Sequence, residues 1–248
     1  MKKYFSLLFV FFLFATAFSQ KGKNGAGNIV GSTVVNAYTA LTNNAFTGNG
    51  IINVASGAGL GPGDLIYIIQ MQGASVNCYL VPFGNPNNPG PYGPEFGKIT
   101  NYNNAGNNEY AEVASVSGIN ITLDCPLKYN YSIAGKVQVI KVPRYNSLTI
   151  GAAGIITCPA WNGTTGGVIA IEVDGNTNIV AGGKIDASNL GFKAGAITGK
   201  TTASVFGGGA YGNSSINEGG AKGESIAGDA AAYTANFNGP YCKGAVAN

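Results

Sequence analysis

The chain has 248 residues, 14 Lys and Arg against 11 Asp and Glu, and no histidine. A balance this close to neutral leaves no electrostatic footprint for nucleic acid or an anionic membrane. The missing histidine removes the usual base of a serine triad and the Cys/His zinc sites. Only 10% of the residues are charged while 39 are glycine, the composition of a turn-rich β protein rather than a helical one.

Residues 1–19 read as an export signal. Lys2 and Lys3 precede an apolar run over 4–14, and Ala17-Phe-Ser19 sets small residues at the two peptidase positions, which predicts cleavage before Gln20. The run is shorter than the roughly 20 residues a bilayer span needs, so no membrane insertion is expected after cleavage. Loss of Lys2 and Lys3 brings the formal charge from +3 to +1.

Residues 20–45 read as an N-terminal extension, beginning in a Gly/Asn-rich tail and containing a weak strand over 33–41. The region 46–145 reads as an antiparallel β module. A weak strand covers 51–54. The Gly61-Pro-Gly-Asp64 turn leads into Leu-Ile-Tyr-Ile-Ile-Gln-Met over 65–71, apolar on both faces and therefore a central strand. Residues 110–116 and 119–124 form a hairpin about Ser117-Gly118, and 137–142 is a further strand. Between them, five prolines in 82–94 exclude a central strand there.

From residue 146 the pattern changes. Short β-branched runs at 147–150, 154–157, 168–173, 179–180 and 185 alternate with glycine turns. A strand that short cannot bury its own apolar side, so these runs are expected to stack as coils of a parallel β-solenoid, with 168–173 beside 147–150 or 184–187. The preceding module would cap the stack, whose terminal coil otherwise bares an apolar end and a strand edge. The fold class is therefore all-β: a small antiparallel barrel or sandwich followed by the start of a β-helix over 146–248. The end of that region is Gly-rich and lacks a closing strand, which suggests truncation.

Chemistry-bearing residues are sparse. Cys78, Cys125, Cys158 and Cys242 lie at wide spacings without Cys-x-x-Cys. In an oxidising compartment they allow two disulfides, Cys78–Cys125 being favoured because both fall in one module; buried free thiols are the alternative. Among the carboxylates, Glu172, Asp174 and Asp186 are the best cluster for acid–base work, set against solvated acids on an outer strand face. Asp174-Gly-Asn-Thr-Asn178 begins like a calcium loop but has Ile179 and Ile185 where Gly and an acid belong, so it reads as a turn. Residues 207–209 are not a phosphate loop, and neither cofactor nor metal is expected. Tyr92, Tyr102 and Trp161 are candidate sugar-stacking rings; the structural alternatives are loop anchoring for the tyrosines and sealing of the module junction for Trp161.

Four stretches carry a resemblance: 63–74 (Gly-Asp-Leu-Ile-Tyr-Ile-Ile-Gln-Met-Gln-Gly-Ala), 99–106 (Ile-Thr-Asn-Tyr-Asn-Asn-Ala-Gly), 139–143 (Val-Ile-Lys-Val-Pro) and 161–168 (Trp-Asn-Gly-Thr-Thr-Gly-Gly-Val). With the Gly-rich segments at 207–209 and 223–228, the chain resembles the N-terminal regions of large secreted, adhesin-like or gliding-associated surface proteins of Bacteroidota type. The resemblance implies an exported, non-catalytic stalk or cap region whose partners are surface glycans or other cell-surface components, and it carries no catalytic residues. The alternatives are the N-terminal part of a polysaccharide-degrading β-helix enzyme and a carbohydrate-binding surface protein.

Overall fold

The computed structural model describes residues 20–76, 98–193 and 224–228. In chain order the strands are β1 Ala26–Ile29, β2 Ser32–Val34, β3 Ala37–Ala40, β4 Ile51–Asn53, β5 Leu65–Gln70, β6 Ser75–Val76, β7 Ile99–Asn101, β8 Asn108–Ser117 and β9 Asn120–Leu123. They continue with β10 Val137–Val142, β11 Arg144–Tyr145, β12 Ser147–Ile150, β13 Ile155–Thr157, β14 Glu172–Val173, β15 Thr177–Ile179 and β16 Lys184–Ile185. Among the described residues the only helical turn is a 3-10 turn, Ile133–Gly135.

The fold is all-β, and two bodies, each with its own core, account for the described strands other than the separate β6–β7 pair. The first is a six-stranded antiparallel sheet in the order β3-β10-β5-β8-β9-β4. It curls until β3 and β4 meet at a single bridge, Leu41–Val54. The period-2 pattern decides its inner face: Ile66 and Ile68 of β5, Val137 and Val139 of β10, and Val113, Ile121 and Ile52 fill one cluster. As expected, β5 is central, and β8 and β9 form the hairpin.

The second body is a parallel β-helix. β1, β12 and β15 stack in register, with Ile29, Ile150 and Ile179 forming one ladder. β2, β13 and β16 make a second wall, and β11 and β14 a third. Rungs two and three repeat every 29 positions on two walls, as Leu148 facing Thr177 and Ile155 facing Lys184 show, and every 28 on the third, where Arg144 faces Glu172. Glycine sits at the corners because the neighbouring rung leaves no room. A side chain on Gly154 would overlap the Ile29 carbonyl, and one on Gly183 would come within 2.7 Å of the Gly151 carbonyl.

Three expectations change. The expected extension, 20–45, contains the first rung, β1 and β2, followed directly by β3. The antiparallel body is accordingly an insertion between rungs one and two rather than a module preceding the helix. Among the described residues no barrel strand pairs with β1 or β2. The barrel is tied to the flank, where Asn36 bonds both backbone groups of Ala170, Tyr38 donates to the Val168 carbonyl at 2.6 Å, and Gln138 holds the Gly166 amide and carbonyl. Those bonds occupy the backbone of 166–170, so the expected strand over 168–173 shrinks to Glu172–Val173. It pairs with Arg144–Tyr145 rather than with 147–150 or 184–187. Ile169, Ile171 and Val173 of this stretch still pack on the cluster of Ile29, Leu148, Ile150 and Ile156.

The ladder makes the expected cost of truncation position-dependent. Ile150→Ala, at the buried centre, should destabilise by about 2–5 kcal/mol in urea unfolding. Ile179→Ala, at the 48% exposed outer position, should cost less than about 1 kcal/mol. Equal losses would mean that the ladder does not carry the helix core.

Candidate functional site

Parallel pairing of β11 with β14 sets Arg144 directly opposite Glu172. The Arg144 side chain is only 3% exposed. Its Nε donates to Glu172 Oε2, its Nη2 reaches Glu172 Oε1 at 3.4 Å, and its Nη1 donates to Glu112 Oε1 on β8. One guanidinium thus joins the third rung to the barrel. Burial works against its charge, but the bonds to Glu172 and Glu112 outweigh that and raise its pKa above the ordinary arginine value. Its own backbone is held by Asn24, whose amide reaches the Arg144 carbonyl at 2.8 Å and whose Oδ1 accepts the Arg144 amide at 2.7 Å.

A second charged node sits beside it. Asp64, in the turn before β5, accepts from Lys23 Nζ and Lys141 Nζ, both at 2.8 Å, and from the Gly61 amide at 2.9 Å. Burial alone would raise this carboxyl, yet the two ammonium groups hold it below its usual range. Lys141, which also donates to the Gly59 carbonyl at 2.6 Å, lines a small recess with Tyr38, Thr39, Ser56 and Leu60.

The three acids read as a cluster are not one. Glu172 is engaged by Arg144, Asp174 lies 3.9 Å from Lys21, and Asp186 takes Lys184 at 2.8 Å and the Ser188 amide at 2.9 Å. The Lys184 ammonium, followed by Ser188, pulls the Asp186 carboxyl far below its usual range. Three acids on three separate cations do not form the facing pair that acid–base cleavage of a glycosidic bond requires. Asp174-Gly175 instead turns the chain between β14 and β15, and among the described residues no group of three potential ligands gathers for a metal.

The outer face of the barrel sheet carries what the sequence did not reveal. Register aligns Tyr38, Ile140, Tyr67 and Tyr110 in one row across β3, β10, β5 and β8. The row runs from the flank covered by the helix out to solvent. At its open end the rings of Tyr67 and Tyr110 stand 4.7 Å apart, tilted by 35°. Tyr110 is 54% exposed, and burial, with Tyr110 second, raises the Tyr67 hydroxyl. Asn108 and Glu112, two residues to either side on β8, share this face by the strand period. A tilted aromatic pair flanked by an amide and by a carboxylate–guanidinium pair offers an apolar surface with hydrogen-bonding groups at its edge.

Of the rings chosen from sequence, Tyr102 is 59% exposed ahead of a turn, and Tyr92 lies outside the described residues. Trp161 is 2% exposed, edge-on to Phe192 at 5.7 Å, with an indole N–H that has no acceptor among the described residues. Its burial removes it from reach of a sugar ring. Cys125 is exposed and carries a free thiol, while its favoured partner Cys78 lies outside the described residues; Cys158 is a buried free thiol, pushed up by its burial. Cys242 also lies outside the described residues.

The Asp64 node sets an expected pH dependence. Its folded pKa is lowered, so its contribution is complete above the unfolded value near ~3.9 and is lost as pH falls through the folded value. Asp64→Asn should therefore be less stable at neutral pH, because Lys23 and Lys141 lose their acceptor, and should show a flatter loss of stability below about pH 4. Parallel acid limbs in thermal melts of the two proteins would contradict this.

No family model and no curated protein matches the chain. Among solved structures it is similar to the Gp54 tailspike of Acinetobacter baumannii bacteriophage AP22, in complex with A. baumannii capsular saccharide, at 15% identity over 63% of this chain and 29% of that one, with a TM-score of 0.29. The tailspike gp61 of Pseudomonas phage phi297 matches at 14% identity over 64% and 21%, TM-score 0.29. The tailspike gp49 of Pseudomonas phage LKA1 matches at 19% over 54% and 25%, TM-score 0.26. The chain spans less than a third of the length of each, and at these scores no site or activity carries over.

Proposed function

We propose that this chain is the N-terminal part of an exported, non-catalytic surface protein, in which a β-helix stalk carries a flank barrel that binds glycans. The observation behind it is the Tyr67–Tyr110 pair, an exposed aromatic surface edged by Asn108 and Glu112. Pyranose rings present an apolar C–H face and a rim of hydroxyls, and such a surface accommodates both. The engagement of Glu172, Asp174 and Asp186 by separate cations supports binding without cleavage. The signal-like residues 1–19 and the resemblance to Bacteroidota-type adhesins support export to the cell surface. The in-register stacking of β12 with β15 and of β13 with β16 supports a stalk.

A glycan array probed with residues 20–248 tests this reading. Binding to at least one saccharide class is expected, weakened about tenfold by Tyr110→Ala with the circular dichroism spectrum unchanged. An array without hits, or one indifferent to Tyr110→Ala, would overturn it.

A further inference from the structure

Residues 20–25 strap the two bodies together. Gln20 packs its side-chain amide against Gly63 of the barrel, whose φ of 74° favours glycine. Lys23 reaches Asp64, Asn24 is tied to Arg144, and Lys21 lies near Asp174 on the third rung. At the head of the strap, the Gln20 main-chain nitrogen stands 3.2 Å from Glu112 Oε1, the oxygen that also receives Arg144 Nη1. Glu112 and Glu172 share Arg144, and among the ion pairs of the described residues no second cation reaches either. The node therefore holds two carboxylates for one guanidinium, with a main-chain nitrogen beside one of them. That nitrogen belongs to the residue before which the sequence predicts cleavage.

We propose that export processing completes this node: the α-ammonium group created at Gln20 is a docked cation that locks the barrel to the β-helix. The proposal rests on the export reading given above. A peptidase adds water across the Ser19–Gln20 bond; Ser19 leaves with the new carboxylate, and the Gln20 nitrogen becomes a protonated amine. Before cleavage it is a neutral amide donor to Glu112, afterwards a charged one, and charge-assisted bonds are about twice as strong. The group recognised is an N-terminal ammonium of this chain, held by a carboxylate that a neighbouring arginine orients. Closure of the N-terminal glutamine to a lactam, by attack of the amine on its own side-chain amide with loss of ammonia, would remove the charge and undo the lock.

The test compares residues 20–248 bearing a free Gln20 amine, released from a fusion that leaves Gln20 first, with the same protein acetylated at that nitrogen. Intact mass confirms that ammonia has not been lost. Acetylation is expected to lower Tm by roughly 2–4 °C, and the difference should vanish in Glu112→Gln. Equal Tm values in the wild-type pair, which decide even if Glu112→Gln fails to fold, would overturn the lock. So would a difference that persists in Glu112→Gln. N-terminal sequencing of the secreted full chain separately tests the export reading: cleavage before Gln20 supports it, and cleavage elsewhere removes the source of the ammonium while leaving the melting result to be judged by itself.

Discussion

A charged side chain withdrawn from water must be matched by partners, or it unfolds what surrounds it. Arg144 is such a side chain, and the relation between the two bodies depends on it. It stands at the residue where the chain leaves the barrel and re-enters the β-helix, one position after Pro143. Its carbonyl and amide are held by Asn24 of the first turn, while its guanidinium holds Glu112 of the barrel and Glu172 of the third rung. Arginine suits this position because its planar head can serve two carboxylates at once, which a lysine could not do with the same geometry. Around it, Asn36, Tyr38 and Gln138 bond to backbone rather than to other side chains. They satisfy the main-chain groups of a segment that lies against a sheet face instead of joining a sheet.

The β-helix itself is held by different physics. Among the described residues its core is small, four buried aliphatics with a half-buried fringe, and its cohesion comes from in-register ladders and backbone bonds between rungs. That explains the glycines. Where one rung's corner passes over the carbonyls of the next, spacing is set by main-chain hydrogen bonding, and a Cβ would hold the rungs apart. The barrel has the opposite character, a larger core of alternating aliphatics in which Tyr131 is buried with its hydroxyl on Glu109.

Much of this was legible wherever one strand or one hairpin carries its own signal. β5 and β10 announce themselves by apolar residues on both faces, and Ser117-Gly118 marks the turn between β8 and β9. Rungs two and three show as glycine-spaced aliphatic runs. The first rung stayed hidden because 121 positions separate Ile29 from its ladder partner Ile150. The clue was a short repeat, Asn28-Ile-Val30 and Asn178-Ile-Val180, each following a glycine turn. The shift of 168–173 away from 147–150 was illegible for another reason. The bonds that occupy its backbone come from Asn36 and Tyr38, 130 or more positions earlier. The aromatic pair lay beyond sequence reasoning too: Tyr67 and Tyr110 meet only through the register of β5 with β8, which no local pattern encodes. Trp161 illustrates the reverse case, where a sole tryptophan next to a Gly-rich turn suggested two roles and only its burial chooses between them.

The insertion leaves and rejoins the β-helix at neighbouring points. β3 and β10, the first and last strands of the barrel, are antiparallel partners, and Asn36 reaches the Lys141 carbonyl at 2.9 Å. A module whose two ends emerge side by side from a repeat corner behaves as a cassette. Evolution can lengthen, exchange or delete it, much as domain insertions succeed where chain ends lie close together. The stack on which it sits keeps its register throughout, so the outer face of the insertion and the scaffold are free to diversify at separate rates.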